Sequence, residues 1–280
     1  MLARSIPSNQ IIMIRFPIVN FSLYSVRLFS AAGPDCDRIA KYIAQCGFAS
    51  RREAENYVRE GRVLINDCVV NSLGTRVSPG SIVTLDGHHH IRPLKRARLF
   101  IYHKSDDEIV STVSPKPQLK TVFDRIEKCP DTKRLHLPRL VPVGRLDVTT
   151  EGLLLLTSSP ALATYLSHPD NNFKRVYRAR VFGEVDYDKL QYLSTGSVIH
   201  GVNYRPIEIK MDRERHRNSW LQVSLTEGKN REVRKVLQWA GLAVNRLIRT
   251  TFGPFRLDNL QVHRFREIPV SADIISKLKH

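Results

Sequence analysis

The sequence predicts an α+β chain in two unequal parts: a small unit of helices and short strands, then a larger one in which strands dominate. Three observations point that way. Residues 35–86 hold two short helix-period segments followed by brief alternating stretches. Residues 99–270 carry repeated strand-like runs, each parted from the next by turn residues or a single amphipathic segment. Between them, residues 87–98 interrupt all periodicity with Gly87, His88-His89-His90 and Pro93, the composition of a linker. A length of 280 residues with 42% hydrophobic content is enough for two compact domains with cores of their own.

Charge narrows the partner. Lys+Arg 44 against Asp+Glu 27 leaves +17, and a surplus that large marks a polyanion, with nucleic acid ahead of an anionic membrane surface. No apolar run approaches the roughly 20 residues of a bilayer-crossing helix, so a membrane-embedded chain is not expected. Cys36, Cys46, Cys68 and Cys129 stand apart with no CxxC pair, which argues against a zinc site and a disulfide framework and suits a reducing compartment.

Residues 1–34 contain no Asp or Glu yet carry Arg4, Arg15 and Arg27 among Ser, Ile, Leu and Phe. An acid-free, arginine-bearing, serine-rich leader is the profile of an organelle transit peptide. Arg27-Leu28-Phe29-Ser30 resembles a mitochondrial processing site cut after Phe29. The reading is therefore a mitochondrial matrix protein, with a cytoplasmic location as the alternative. A secretory signal fits less well because Arg15 cuts short the apolar run Ile11–Ile14.

In residues 35–86, Ile39, Tyr42 and Ile43 recur at helical spacing up to Gly47. Ser50 with Glu53 forms a capping box for a second helix, with Ala54, Tyr57 and Val58 as its apolar stripe and Gly61 as its stop. Val63 and Ile65 run into an Asn66-Asp67 turn, Val69-Val70 returns, and Ile82 to Leu85 closes a small sheet. Arg38, Lys41, Arg51, Arg52, Arg59 and Arg62 lie on the polar faces around the helix ends, where they can contact phosphates. RIAKYIAQCGFASRREAENYVREGRVLIND resembles the RNA-binding domain shared with small-ribosomal-subunit protein four, apart from Asp67 where that domain has glycine. The resemblance implies RNA binding.

The linker adds Arg92, Lys95, Arg96 and Arg98. Its three adjacent histidines are a poor metal site, because neighbouring side chains diverge and no carboxylate or cysteine adjoins them. No metal is expected.

Residues 99–270 are organised around Gly144-Arg145-Leu146-Asp147-Val148-Thr149-Thr150-Glu151-Gly152, which leads straight into Leu153–Leu156. Four leucines in a row read as a short strand buried on both faces or as a buried helix turn. Asp147 then sits at the mouth of the core, and a carboxylate there needs a cation, of which Arg145 is the nearest in sequence. From spacing alone this is a structural ion pair. Downstream, Ala161–Leu166 makes a helix ending before Pro169, and residues 174–181 alternate so that Tyr177, Ala179 and Val181 face the core while Val176, Arg178 and Arg180 face away. Leu221–Leu225 is another strand, and Glu227-Gly228-Lys229 turns into a helix with Arg231, Arg234 and Lys235 on its basic side. Leu247–Arg249 and Phe252 supply a last core strand, and residues 271–280 read as a tail.

GRLDVTTEGLLLLT resembles the signature of the ribosomal pseudouridine synthases, in the group that joins the small-ribosomal type with types B, E and F of the large ribosomal particle. EGKNREVRKVLQWAGLAVNRLIRTTFGPFRLDNL resembles their third segment. After the leucines this chain has Thr157-Ser158-Ser159-Pro160 where the family usually has Thr-Asn-Asp-Gly. The resemblance covers about residues 37–262 and implies a mostly antiparallel sheet with flanking helices around a central cleft. It implies that Asp147 is catalytic, that Tyr177 stacks on the target base, that Arg234 pairs with Asp147, and that Arg145 supports the site. Arg231 is read as a further RNA contact. Glu151, the other acid of the motif, is read as a solvated partner.

The chemistry so implied breaks the bond from ribose to the ring nitrogen of uracil, turns the base, and rejoins it through a ring carbon. Nothing is oxidised and no group leaves, so no cofactor is expected, and the sequence holds no GxGxxG, P-loop or clustered metal ligands. The implied substrate is ribosomal RNA, alone or in pre-ribosomal particles, acted on by a monomer. Two other classes fit the charge: a catalytically silent RNA-binding assembly factor on the same fold, and an electrostatic membrane-surface protein.

Overall fold

The computed structural model describes residues 36–277 apart from 88, 94–95, 131, 133–136 and 214–216. The leader at 1–34, with His88 and Lys95 of the linker, lies outside the described residues.

In the amino-terminal unit, helix α1 (Ile39–Gln45) and helix α2 (Arg51–Arg59) bury Ile39, Ile43, Ala54 and Val58 against a small antiparallel sheet. The capping box forms as read: Ser50 Oγ accepts from the Glu53 amide at 3.2 Å, and Glu53 Oε2 accepts from the Ser50 amide at 2.6 Å. Glu53 Oε2 also accepts from Arg139 Nη1 at 2.6 Å, which ties α2 to the larger unit. Asn66 and Asp67 both take positive φ, 48° and 63°, the backbone of a two-residue hairpin loop that Asn and Asp tolerate. The linker starts later than the sequence predicts. His89–Ile91 pairs with Val83–Leu85 as the sheet's fourth strand, and Ile91 is buried. One apolar side chain among histidines is too little pattern to disclose a strand.

The larger unit is one twisted sheet. Its main strands are β1 (Leu99–Lys104), β2 (Thr150–Thr157), β3 (Arg175–Phe182), β4 (Glu208–Arg213), β5 (Asn218–Leu225), β6 (Ala243–Phe252) and β7 (Phe265–Ile268). They lie in the order β4-β5-β3-β6-β2-β1-β7, antiparallel throughout except where β2 meets β6. The leucine run is strand, not helix turn. Leu154 and Leu156 join one core with Phe100, Tyr102 and Val236, while Leu153 and Leu155 join a second core with Leu99, Ile101 and Leu162. The first core is covered by helices α3 (Val122–Lys128), α5 (Tyr187–Ser194) and α6 (Glu232–Trp239), and the second by α4 (Pro160–Ser167). The expected tail is partly built into this second core. Helix α7 (Ala272–Lys277) packs Ile274 there, an anchor that so short a terminal stretch does not reveal.

The β2–β6 contact is a fork. Only Thr150–Gly152 pair with Leu247–Arg249, after which β2 continues beside β1 while β6 follows β3. Gly152 makes the approach possible. Its φ is +99°, and a Cβ there lies 2.3 Å from the Arg249 carbonyl oxygen and 2.9 Å from the Arg249 nitrogen. Gly152→Ala is expected to lose about 3 kcal/mol or more of stability, from backbone strain and overlap together, as measured by urea unfolding. Wild-type stability in that variant would show that the fork tolerates a side chain.

Candidate active site

A cleft of about 320 Å³ opens at the fork, walled by the 143–147 loop, β3, β6, the 227–229 turn and the start of α6. Asp147 stands at its rim with 29% of its side chain exposed. Its loop is held through the backbone. Lys104, the last residue of β1, is fully buried, and its ammonium donates to the carbonyl oxygens of Ser105 at 2.6 Å, Val148 at 2.9 Å and Thr150 at 2.9 Å. Those three bonds use all three of its donors. Burial pushes Lys104 down to about 8, against the upward pull of Glu108, Asp107, Asp106 and Asp147.

The ion pair of Asp147 differs from the predicted one. Arg231 Nη1 lies 3.6 Å from Asp147 Oδ2, whereas Arg234 donates from Nη1 to the Val244 carbonyl at 2.9 Å and from Nη2 to the Thr149 carbonyl at 2.7 Å. Arg231 occupies the left-handed position before α6, with φ +53°, at the rim where Asp147 stands. Arg234 is one turn deeper, where backbone carbonyls of the Asp147 loop and of β6 take both of its terminal nitrogens. Asp147 still acts on it through space: burial and the Arg231 charge push Arg234 below the usual guanidinium range, and the Asp147 carboxylate opposes them. Thus Arg231, expected on an RNA-binding face, belongs to the cleft, and Arg234 braces the loop. Arg145 lines the cleft and is exposed, but it makes no ion pair with Asp147.

Tyr177 lies where the alternation of β3 puts it. It is 8% exposed, faces the cleft, and stands opposite Val223 of β5 and Arg249 of β6, next to a bulge in the β3–β6 pairing. Arg178 and Arg180 point outward. Glu151 is not a solvated partner: it is 13% exposed and takes both Arg246 Nε and Nη2, at 2.7 and 2.8 Å.

Four charged residues deep in the cleft escape the sequence reading. Arg175, 6% exposed, donates from Nη1 to the Thr226 carbonyl at 2.6 Å and lies 4.9 Å from the Phe252 ring. Arg249, 3% exposed, donates from Nε to the Leu153 carbonyl at 2.8 Å across the fork. Glu227 accepts from the Arg205 amide at 2.8 Å and from the Lys229 ammonium. Glu232 accepts from the Lys229 amide at 2.7 Å, and burial, with Glu227 close by, pushes it up to about 7. One signal was present. Arg175 shares the odd-numbered parity of Tyr177, and Arg249 that of Leu247, so alternation already placed both on inward faces.

The residues expected to grip RNA divide. Arg38, Arg51 and Arg52 are exposed. Lys41 is paired with Asp37, Arg59 with Glu55 at 3.8 Å, and Arg62 is bidentate on Asp86 at 2.6 and 3.0 Å while covering the Tyr57 ring at 4.2 Å. Arg62 is thus a brace of the small unit rather than a free cation. Among the described residues, Asp107, Glu108 and His263 bring potential metal-ligating atoms within 4.8 Å of one another, but Arg125 already supplies their countercharge, at 2.7 Å from Asp107 and 3.4 Å from Glu108.

Comparison with known proteins decides the family. The family model for RNA pseudouridylate synthase matches residues 98–239, a span that contains Asp147, Tyr177, Arg231 and Arg234. The chain belongs to the RNA pseudouridylate synthase family. An S4 domain matches residues 37–83, the unit of α1 and α2. The chain is 40% identical to an uncharacterized RNA pseudouridine synthase of Rickettsia bellii over 82% of this chain and 96% of that one. It is 38% identical to the ribosomal large subunit pseudouridine synthase B of Yersinia pestis over 79% of this chain and 69% of that one. A crystal structure of a pseudouridylate synthase shares the fold with a TM-score of 0.56 at 20% identity, over 86% of this chain and 98% of that chain. As a member of this family the chain is an isomerase of uridine in RNA.

Lys104 is fully buried and does not line the cleft, so its role is separable from charge at the rim. Lys104→Met leaves the carbonyls of Ser105, Val148 and Thr150 without their buried donor. A loss of about 3 kcal/mol in urea unfolding is expected, with a single-turnover rate at least about tenfold lower because the Asp147 loop loses its register. A wild-type rate would show that the loop holds its position without the ammonium.

Proposed function

We propose that this protein converts uridine to pseudouridine in ribosomal RNA of a mitochondrial ribosome, with Asp147 acting at the ribose of a uridine swung out of its stack. The observation that carries this reading is the meeting, in one cleft, of a solvent-reachable carboxylate, two guanidinium groups beside it and an aromatic ring edged into the floor. A base lifted from a helix needs a flat apolar surface, which Tyr177 offers. Cleavage at the sugar needs an ionised carboxylate, by direct attack or by proton removal. Arg231 faces the Asp147 carboxylate at 3.6 Å, and Arg234 with Lys104 keeps its loop in place. Ribosomal RNA as substrate is supported by relatives named as ribosomal large subunit synthases and by the S4 domain ahead of the catalytic unit. The organelle address rests on the acid-free, arginine-bearing leader that precedes that domain.

Complementation tests both parts. In cells lacking the protein, mitochondrial ribosomal RNA is expected to lose at least one pseudouridine, which the full chain restores. Asp147→Ala is expected to restore none, and a chain lacking residues 1–29 to restore it only in a purified reaction. Full activity of Asp147→Ala ends the catalytic assignment of that residue, whereas RNA binding by both proteins with pseudouridine formed by neither leaves the assembly-factor reading. Mitochondrial import of the truncated chain ends the address.

RNA affinity supplies an independent check. Neutralising Arg38, Arg51 and Arg52 is expected to reduce the slope of log affinity against log salt by about two to three, since each phosphate contact contributes somewhat less than one. Changing Arg62, which is committed to Asp86, is expected to alter stability more than slope. An unchanged slope in the triple variant removes the phosphate role.

A further inference from the structure

The floor of the cleft contains hydrogen-bonding capacity that the protein leaves unused. Thr150 Oγ1, Arg234 Nε, Arg249 Nη2 and Glu232 Oε1 are all buried, all belong to residues that line the cleft, and all lack a partner among the described residues. Buried polar groups are ordinarily satisfied, so four orphans converging on one cavity mark a place shaped for a polar ligand. Two of the four are fixed donors from guanidinium groups, and the hydroxyl can donate. Only the carboxyl is ambiguous.

Its neighbours resolve the ambiguity. Glu232 is 3% exposed and Glu227 4%, and their side chains are within hydrogen-bonding distance. Two carboxyl groups so close and so dry cannot both hold a negative charge, so one of the two is neutral and carries its own proton. Glu227 keeps the charge because it receives the Lys229 ammonium and the Arg205 amide, both absent from Glu232. Other groups act on the pair from packed elements: Arg175 from β3, Tyr204 from the Val202–Tyr204 strand, and Lys229 from the turn. Glu232 is held with its proton up to about pH 7.

We propose that Glu232 works in its neutral form as a hydrogen-bond donor to the detached uracil, completing with Arg249 Nη2, Arg234 Nε and Thr150 Oγ1 a set of donors for its carbonyl oxygens. This rests on the isomerase reading above. When the bond from C1′ to N1 breaks with its electron pair going to N1, uracil becomes an anion whose charge spreads to O2 and O4. C5 then bonds to C1′, the C5 proton leaves, and N1 takes up a proton, so the product has the composition of the substrate. Donors fixed in a dry cleft stabilise the anion while the base turns, as an oxyanion hole stabilises a tetrahedral intermediate. A carboxylic acid kept neutral by its surroundings is suited to that work.

Three measurements on the full chain test this. In single-turnover assays, Glu232→Gln keeps a neutral donor and is expected to stay close to wild type, while Glu232→Leu is expected to fall about 10²-fold. Neutral Glu232 is the active form, so the wild-type rate is expected to decline as pH rises through about 7, a decline absent from Glu232→Gln. An infrared difference spectrum of wild type against Glu232→Gln at about pH 6 is expected to show one protonated carboxyl, whether or not any RNA is turned over. The proposal is overturned if Glu232→Leu matches wild type, if Glu232→Gln is as slow as Glu232→Leu, or if no protonated carboxyl is seen. Wild-type protein that forms no pseudouridine sinks the isomerase reading instead, and the infrared result then stands or falls separately.

Discussion

Three consecutive backbone carbonyls just after Asp147 are held by two cations, one buried and one half-buried. Lys104 takes Val148 and Thr150, and Arg234 takes Thr149 between them. Within the loop itself one turn is closed, by the Thr150 amide donating to the Asp147 carbonyl at 3.0 Å, and Asp147 stands at the rim. Because the anchors come from the end of β1 and the first turn of α6, the loop takes up its shape only when sheet and helix are both in place. Carbonyls are good partners for such cations. They offer partial charge without the desolvation penalty of a second ion, and all three ammonium donors can be used at once.

The same economy of contacts governs the fork. β2 and β6 touch over only three residue pairs, and that brief parallel contact needs a glycine at its closest point. Beyond it the strands separate and leave a gap that a flat ring, two guanidinium groups and two carboxyls line rather than fill. A continuous antiparallel sheet has no such gap. The one parallel pairing in the main sheet is therefore what gives the molecule a cleft, and the Arg249 bond to the Leu153 carbonyl spans it at the base.

Charge is arranged in two layers. Outside, Arg38, Arg51 and Arg52 on the small unit and Arg180 on β3 are exposed to water. Inside, Arg175 and Arg249 are nearly stripped of water, Arg234 is half-buried, and all three are directed at carbonyls, rings and the cavity. The surplus of +17 counts both kinds alike. Burial and ion pairing separate the two kinds: neither Arg62 nor Arg231 is buried, but Asp86 holds the first and Asp147 the second.

Patterns local in sequence were legible from the sequence alone. The capping box at Ser50, the leucine run buried on both faces, the inward parity of Tyr177 and the breaks at glycines and prolines all follow from helical and strand periods that neighbouring residues impose on one another. The resemblance to pseudouridine synthases then pointed to Asp147. Tertiary structure decided what depends on residues far apart: that Arg231 rather than Arg145 or Arg234 meets the Asp147 carboxylate, that Lys104 holds its loop from 44 residues away, and that Glu227 and Glu232 share a dry wall. Periodicity reports which face a side chain takes. Which partner waits on that face, and how much water remains between them, is set by the crossing of chain segments, and no local pattern contains that information.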